Sequence, residues 1–222
     1  MLMLCRRFLS DDPETPYAPT FDFTIGTSLS QNINTDSLSK FLLKKEREVK
    51  KMPHSIGGSG KVTDGYTGLG KNSTTSRFQR YNVLSWDHPE IKKLKDNILT
   101  GVREYNIGCG NNTPDELYVG CWFNVMRFGQ KIKPHMHSCT STCYLTGHFN
   151  VQVNDTSTVY MYPGNVLNDP EVIDLKNKVG EMTLFPSNIF HYTTPHYSFT
   201  PRITIAFDVL CYSTDSNWEK LL

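Results

Sequence analysis

The chain has 222 residues, of which 38% are hydrophobic and 20% are charged. This composition is typical of a globular protein with a sizeable core and excludes an intrinsically disordered chain. Its 23 basic and 22 acidic residues leave a formal net charge of +1, so neither nucleic acid nor an anionic membrane is expected as a partner. The six cysteines form no C-x-x-C pair, and no apolar stretch or N-terminal signal pattern indicates a membrane or secreted protein. These features predict a soluble cytoplasmic protein of undetermined oligomeric state.

The N-terminal part of the sequence predicts one strand and one helix. Thr20–Ile25 alternates in the manner of a strand. A helix is expected from Asp36 or Ser37 to about Lys51, with Thr35 or Asp36 as its N-cap. The apolar side chains that define one face of this helix are Leu38, Phe41, Leu42 and Val49.

A glycine-rich segment separates this helix from a second one. Met52–Ser76 contains six glycines, which predicts a long loop, and long loops in compact domains usually have a function. We expect it to cover a bound substrate. The second helix is expected over Pro89–Tyr105, with Asp87 or His88 as its cap and proline at its first position. Its apolar stripe, which should pack on a sheet, consists of Ile91, Leu94, Ile98 and Val102.

From Leu117 onward the sequence predicts short strands separated by turns. These strands are Tyr118–Phe128, Ser141–Thr146, His148–Asn154, Thr158–Tyr162, Glu181–Phe185 and Arg202–Tyr212. Many short strands with turn residues between them indicate a β-sandwich or barrel. The expected fold is therefore mainly β with supporting helices. Residues 1–112 would form a helical and loop extension on a core of residues 113–222, together making one compact unit.

Two histidines, His135 and His137, lie two residues apart in the segment 128–137, FGQKIKPHMH. On a strand both rings would project from the same face. Neighbouring neutral imidazoles suit iron, zinc, copper or nickel. An H-x-H pair alone is a weak indication, because histidine is also a common half-buried polar residue.

A third histidine, His191, follows a predicted strand and a Phe-Pro turn, and Arg202 begins another strand eleven residues later. Strand alternation places one polar set of side chains on a single face: Arg202, Thr204, Ala206 and Asp208. This set predicts the wall of a polar pocket. The alternative is that Arg202 lies at a strand edge and faces water.

These segments together resemble the 2-oxoglutarate- and iron(II)-dependent oxygenases, in particular the prolyl-hydroxylase-like group and the related oxygenases often encoded by bacteriophages. That family has a glycine shortly before an H-x-D pair, matched here by Gly129, His135 and His137. The resemblance covers about Tyr118–Tyr212.

The rest of the family pattern follows in order. A strand and a turn, matched by residues 184–187 (LFPS), lead to a distal histidine, matched by His191. An arginine and a hydroxyl residue two positions further on are matched by Arg202 and Thr204.

This resemblance implies a double-stranded β-helix, or jelly roll, and a dioxygenase with Fe(II), 2-oxoglutarate and O₂. His135, His137 and His191 would be both the metal ligands and the catalytic residues. Arg202 would pair with the distal carboxylate of 2-oxoglutarate, assisted by the hydroxyl of Thr204. The implied reaction is oxidative decarboxylation coupled to hydroxylation of a C–H bond in a peptidyl residue or a small metabolite.

The third ligand departs from the family pattern, because His137 stands where a carboxylate is usual. Three neutral ligands leave the charge of the metal ion uncompensated by the protein, which weakens iron retention but favours the 2-oxoglutarate dianion. Alternatively His137 lies behind the metal site, and Asp208 or a water completes the coordination.

Two other functions remain open. Cupins have similar spacing, matched by Gly129 with the histidine pair and by Gly180, Pro186 and His191. A cupin-type three-histidine metalloenzyme would not use 2-oxoglutarate, and Arg202-x-Thr204 favours the oxygenase. The third hypothesis is a non-catalytic jelly-roll binding protein.

The remaining candidate residues receive plainer interpretations. Four further histidines are expected to be structural or exposed: His54, His88, His148 and His196. Trp122 and Phe128 are expected in the core or the pocket, and Tyr144 is expected to face the metal site. Cys139 and Cys143 are interpreted as small buried thiols.

Overall fold

A computed structural model describes residues 2–137, 141, 143–163, 172–213 and 215–222. Within these residues the chain forms two α-helices, α1 (Thr35–Val49) and α2 (Pro89–Gly108), and ten β-strands. The strands are β1 (Leu4–Leu9), β2 (Asp22–Leu29), β3 (Tyr118–Met126), β4 (Cys143–Gln152), β5 (Ser157–Met161), β6 (Val172–Lys176), β7 (Glu181–Pro186), β8 (His191–Thr193), β9 (Arg202–Leu210) and β10 (Glu219–Lys220). Two short 3₁₀ helices, Thr75–Arg80 and Val83–Ser85, precede α2.

The strands form two antiparallel sheets. The larger sheet has the order β1-β2-β7-β4-β9-β3-β10, and the smaller one has the order β6-β5-β8. Aromatic and aliphatic side chains fill one end of the space between the sheets: Phe8, Phe23, Ile25, Tyr160, Ile173, Phe185 and Ile189. The predicted jelly-roll class, mainly β with supporting helices, is confirmed.

The two helices cover the outer face of the larger sheet. The predicted stripe of α2, Ile91, Leu94, Ile98 and Val102, is fully buried. It belongs to one core together with the outward-facing residues of β9, which are Ile203, Ile205, Phe207 and Val209. This arrangement leaves the other face of β9, which carries the polar set, directed between the two sheets.

The local structure departs from the sequence prediction at several points. The N-cap of α1 is Asn34, whose side chain accepts a hydrogen bond from the Ser37 amide at 3.0 Å, rather than Thr35 or Asp36, which lie inside the helix. The N-terminal strand β1 was not predicted. It is stabilised by pairing with β2 in the register Leu4↔Thr27, a contact that local periodicity does not encode.

The strands predicted over Ser141–Thr146 and His148–Asn154 are one continuous strand, β4, although Gly147 lies at its centre. A Cβ atom at Gly147 would lie 2.5 Å from the Thr183 carbonyl oxygen and 2.6 Å from Cζ of Phe207. The glycine is therefore needed for close packing of strands rather than for a turn.

Replacing Gly147 by alanine is expected to destabilise the protein by about 2–3 kcal/mol, because backbone and ring atoms must move apart to admit the methyl group. Urea denaturation of the metal-free protein measures this change. Gly58→Ala is the matched control, since a Cβ there meets nothing within 4 Å. Equal midpoints for the two variants would contradict the packing argument.

No helix among the described residues is long and apolar enough to cross a lipid bilayer.

Candidate metal centre and its cavities

The three histidines predicted from the sequence converge at one end of the space between the sheets. The predicted strand Tyr118–Phe128 ends at Met126, and a turn at Gly129 (φ 78°) leads to the histidine pair. His135 then forms an isolated bridge with His191, with reciprocal amide-to-carbonyl hydrogen bonds of 3.0 and 2.9 Å. The His137 amide donates to the Ser187 carbonyl at 3.0 Å. One ring nitrogen from each histidine lies within 4.8 Å of those of the other two.

The hydrogen bonds of His135 and His191 fix which nitrogen each ring presents. Nδ1 of His135 lies 2.9 Å from the Lys133 carbonyl oxygen, and Nδ1 of His191 lies 3.0 Å from the Ile189 carbonyl oxygen. A carbonyl only accepts, so both Nδ1 atoms must carry the proton. Each ring therefore keeps the lone pair on Nε2, which is the form that binds a metal.

His137 reaches the same tautomer through side chains. Its Nδ1 lies 2.5 Å from Oδ1 of Asp208 and 2.9 Å from Oγ1 of Thr146. The Thr146 hydroxyl donates its own proton to the Phe207 carbonyl at 2.9 Å, so it accepts from His137. Asp208 thus lies on the Nδ1 side of His137, and the described cluster of ligand-type atoms comprises the three histidines without it.

Burial keeps two of these imidazoles neutral. It lowers the pKa of His135 to about 4 and lowers the pKa of His191 well below its ordinary value, with the neighbouring histidines adding to both shifts. Neutral nitrogen donors suit a divalent transition metal such as iron. The donor set therefore fits an iron ion, and the site has the chemistry that the sequence predicted.

An inner cavity extends from the histidines between the two sheets. Its wall includes the predicted polar face of β9, namely Arg202, Thr204 and Ala206, together with Trp122 and Asn124 from β3 and His148 from β4. Asn124 and Asn150 flank Thr204 across neighbouring strands, since both are registered directly opposite it. The side chains at this level of the cavity are thus polar.

Arg202 lies deep in this structure, with 2% of its surface exposed. Its guanidinium contacts Oγ1 of Thr156 at 3.2 Å, and Sδ of Met126 and Oγ1 of Thr204 at 3.5 Å each. Burial lowers the pKa of Arg202 to about 10, which still leaves it cationic near neutral pH. No carboxylate among the described residues pairs with it. A buried cation without a partner charge is costly, so the cavity is suited to an anionic ligand.

Asn150 has a buried side-chain amide without a hydrogen-bond partner among the described residues. Its side chain is fully buried, and neither Oδ1 nor Nδ2 has a hydrogen-bond partner among the described residues. Buried amides are almost always hydrogen-bonded, so this amide is unusual, and it lies directly opposite Thr204 of β9. The sequence does contain an indication of this position, because Thr146, His148 and Asn150 repeat at strand spacing along β4.

A larger outer cavity of about 670 Å³ opens on the other side of His135 and His137. Part of its wall is the predicted loop Met52–Ser76, through Gly57, Thr63 and Tyr66, and apolar surface is added by Phe78, Trp122, Met136 and Phe190. Within the part of the chain that the structure describes, the only ionisable carboxyl group in this wall is that of Asp208, which is already bonded to His137.

The glycine-rich loop is held in place by Arg77, which is 6% exposed. The guanidinium of Arg77 donates to the carbonyls of Lys50, Met52 and Ser73 at 3.1–3.3 Å, and also to that of Lys71. One fixed side chain thus ties both ends of the loop together.

Several minor predictions are corrected by the structure. Tyr144 does not face the histidines; its hydroxyl donates to Asn106 at 2.7 Å on the outer side of the sheet. Phe128 is 54% exposed rather than in the core or pocket. His148 lines the inner cavity but takes no part in the three-histidine cluster, which agrees with the expectation that it is not a ligand. Cys139 and the side chain of Cys143 lie outside the described residues.

Residues 120–208 match the family model described as "Putative 2OG-Fe(II) oxygenase". No curated protein matches the chain in sequence. This match confirms the resemblance stated from the sequence.

Several solved structures are similar to this one in fold. A Trichoplax adhaerens prolyl hydroxylase, in complex with a hypoxia inducible factor peptide fragment, is 14% identical with a TM-score of 0.53 over 83% of each chain. A Pseudomonas putida prolyl-4-hydroxylase is 13% identical with a TM-score of 0.53, over 83% of this chain and 91% of that one. AviO1 from Streptomyces viridochromogenes Tue57 is 10% identical with a TM-score of 0.53, over 84% and 89%.

Proposed function

Because the core of this chain is that of a 2OG-Fe(II) oxygenase, an enzyme class that uses Fe(II), 2-oxoglutarate and O₂, we propose that it hydroxylates a C–H bond in a substrate held in the outer cavity. In this proposal His135, His137 and His191 hold iron(II), and Arg202 with Thr204 binds 2-oxoglutarate. The bound metal, with its co-substrates, would supply the oxidising chemistry.

The observation that carries the proposal is the position of Arg202. A buried guanidinium without a carboxylate partner lines the same cavity as the three histidines. The charges of a dicarboxylate match this arrangement, because one end can bind the metal while the other neutralises Arg202 in a bidentate pair. Ala206 lies between Thr204 and Asp208 on the same face of β9, and its short side chain leaves room along the cavity.

The wall of the outer cavity indicates that the part of the substrate bound there is uncharged. The described residues of this wall offer rings, methyl groups, glycines and the neutral polar groups of Thr63 and Gln79, but no lysine or arginine that would hold a substrate anion. A peptidyl residue or a neutral small metabolite meets this condition. A free amino acid is less suitable, since its carboxylate would find no cation there.

Anaerobic titration followed by turnover tests the proposed function. The protein loaded with Fe(II) is expected to bind 2-oxoglutarate and, on exposure to O₂, to convert it to succinate, which NMR detects even without the second substrate. Binding of the metal without any binding or conversion of 2-oxoglutarate would instead support the cupin-type alternative. Absence of metal binding would leave a non-catalytic jelly-roll protein.

A further inference from the structure

We infer that Asp208 is a positioning residue that completes the metal centre from behind His137, and that it supplies, one ring away from the metal, the negative charge that a carboxylate ligand would otherwise provide. This inference rests on the proposed function, since it requires the three histidines to hold a metal. It concerns a residue that touches neither the metal nor 2-oxoglutarate.

The geometry of the contact supports this role. Asp208 lies on β9 directly opposite Thr146 of β4, and the two side chains flank Nδ1 of His137 at 2.5 and 2.9 Å. Both acceptors are carried by central strands of the larger sheet, so their positions are fixed by the core. The His137 ring is therefore held with Nε2 directed towards the other two histidines. A hydrogen-bonded carboxylate behind a histidine ligand both orients the ring and raises its basicity.

The charges of the site support the same conclusion. Among the described residues that line the inner and outer cavities, Asp208 carries the only carboxylate and Arg202 the only guanidinium or ammonium. A divalent metal, the 2-oxoglutarate dianion, Arg202 and Asp208 sum to zero charge. Without Asp208 the same group would carry a net positive charge in a largely buried place, which is unfavourable. Thr146 accepts from the same nitrogen but carries no charge, so it cannot replace Asp208.

Metal binding by matched variants tests the inference without reference to turnover. The probe is Co(II), whose visible absorption reports the ligand set of the site, titrated anaerobically into the metal-free protein. Asp208→Asn keeps an acceptor oxygen and loses the charge, so we expect about 10-fold weaker Co(II) binding, and about 100-fold for Asp208→Ala. Thr146→Val removes the neutral acceptor, together with the hydrogen bond that the hydroxyl donates to the Phe207 carbonyl, and should change the affinity by no more than about 3-fold.

A test of Asp208→Asn in the His137→Asp variant separates the effect of the Asp208 charge from a general structural role of Asp208. In His137→Asp the carboxylate is itself in the ligand position, as in the usual two-histidine, one-carboxylate triad. Asp208→Asn is then expected to change Co(II) affinity by less than about 2-fold or to improve it, because two neighbouring carboxylates repel each other. A purely structural effect of Asp208 would persist in this background.

The possible outcomes are distinct. The inference is overturned if Asp208→Asn binds Co(II) as the unmodified protein does, if its effect equals that of Thr146→Val, or if the effect persists beside His137→Asp. It also fails if Asp208→Asn unfolds the metal-free protein, or if His137→Asp binds no Co(II). Failure of the unmodified protein to bind any metal would overturn the proposed function instead.

Discussion

Replacing Arg202 by methionine is expected to stabilise the metal-free protein and, in the metal-loaded protein, to weaken 2-oxoglutarate binding by about 100-fold or more. The two effects have one cause. The guanidinium is 2% exposed and its side-chain contacts are two hydroxyls and a thioether. Arg202 is a buried charge without a partner charge among the described residues, so its removal stabilises the metal-free fold. The same removal deprives the dicarboxylate of its counter-ion.

The expected stabilisation by Arg202→Met can be judged from the replacement of buried charges in other proteins. Replacement of buried ionic groups by apolar residues of similar volume is neutral or stabilising by about 1–4 kcal/mol. Thermal unfolding of the metal-free protein measures this effect, and calorimetric titration of 2-oxoglutarate into the Mn(II)-loaded protein measures the loss of binding.

Arg202→Lys and Arg77→Met are the matched controls. Lysine keeps the charge without the planar fork and should recover part of the 2-oxoglutarate affinity. Arg77 is also buried, but its guanidinium donates to backbone carbonyls, so its replacement should destabilise the fold. Normal 2-oxoglutarate binding by Arg202→Met would remove this arginine from the site and the main support for the proposed function with it.

Alanine at any one of His135, His137 or His191 is expected to abolish conversion of 2-oxoglutarate and to weaken Co(II) binding by more than about 100-fold. This exceeds the roughly 10–100-fold loss that follows removal of a residue supporting a ligand, because a ligand itself is lost. The reason is geometric: all three rings present Nε2 to one point, since each Nδ1 is already engaged.

His54→Ala is the control for these variants. His54 lies within the glycine-rich loop, where its ring contacts Ser76, and it takes no part in the three-histidine cluster. Its replacement should leave Co(II) affinity and 2-oxoglutarate conversion unchanged. If one of the three histidine variants behaved like this control, the metal centre would have a different ligand set from the one proposed.

Several parts of the site could be predicted from the sequence because they depend on neighbours in the chain. Alternation along β9 correctly placed Arg202, Thr204 and Ala206 on the cavity side and their neighbours in the core. The apolar stripe of α2 was likewise correct in each of its four positions. A period of two or of 3.6 residues is visible in the sequence itself, so these predictions need no knowledge of the rest of the fold.

Other parts of the site could not be predicted because they depend on which strands become neighbours. The sequence alone predicted the three histidines of the candidate metal centre, the face of β9 that carries an arginine and, through the family resemblance, the class of the fold. Only the tertiary structure brought Asp208 to His137 across 71 positions of sequence and joined His135 to His191 in one bridge. It also buried Arg202 without a carboxylate partner among the described residues and placed the glycine-rich loop over the outer cavity. Periodicity records which way a side chain points along its own strand, whereas the partner it meets is set by sheet order and register, which arise from packing of the whole chain.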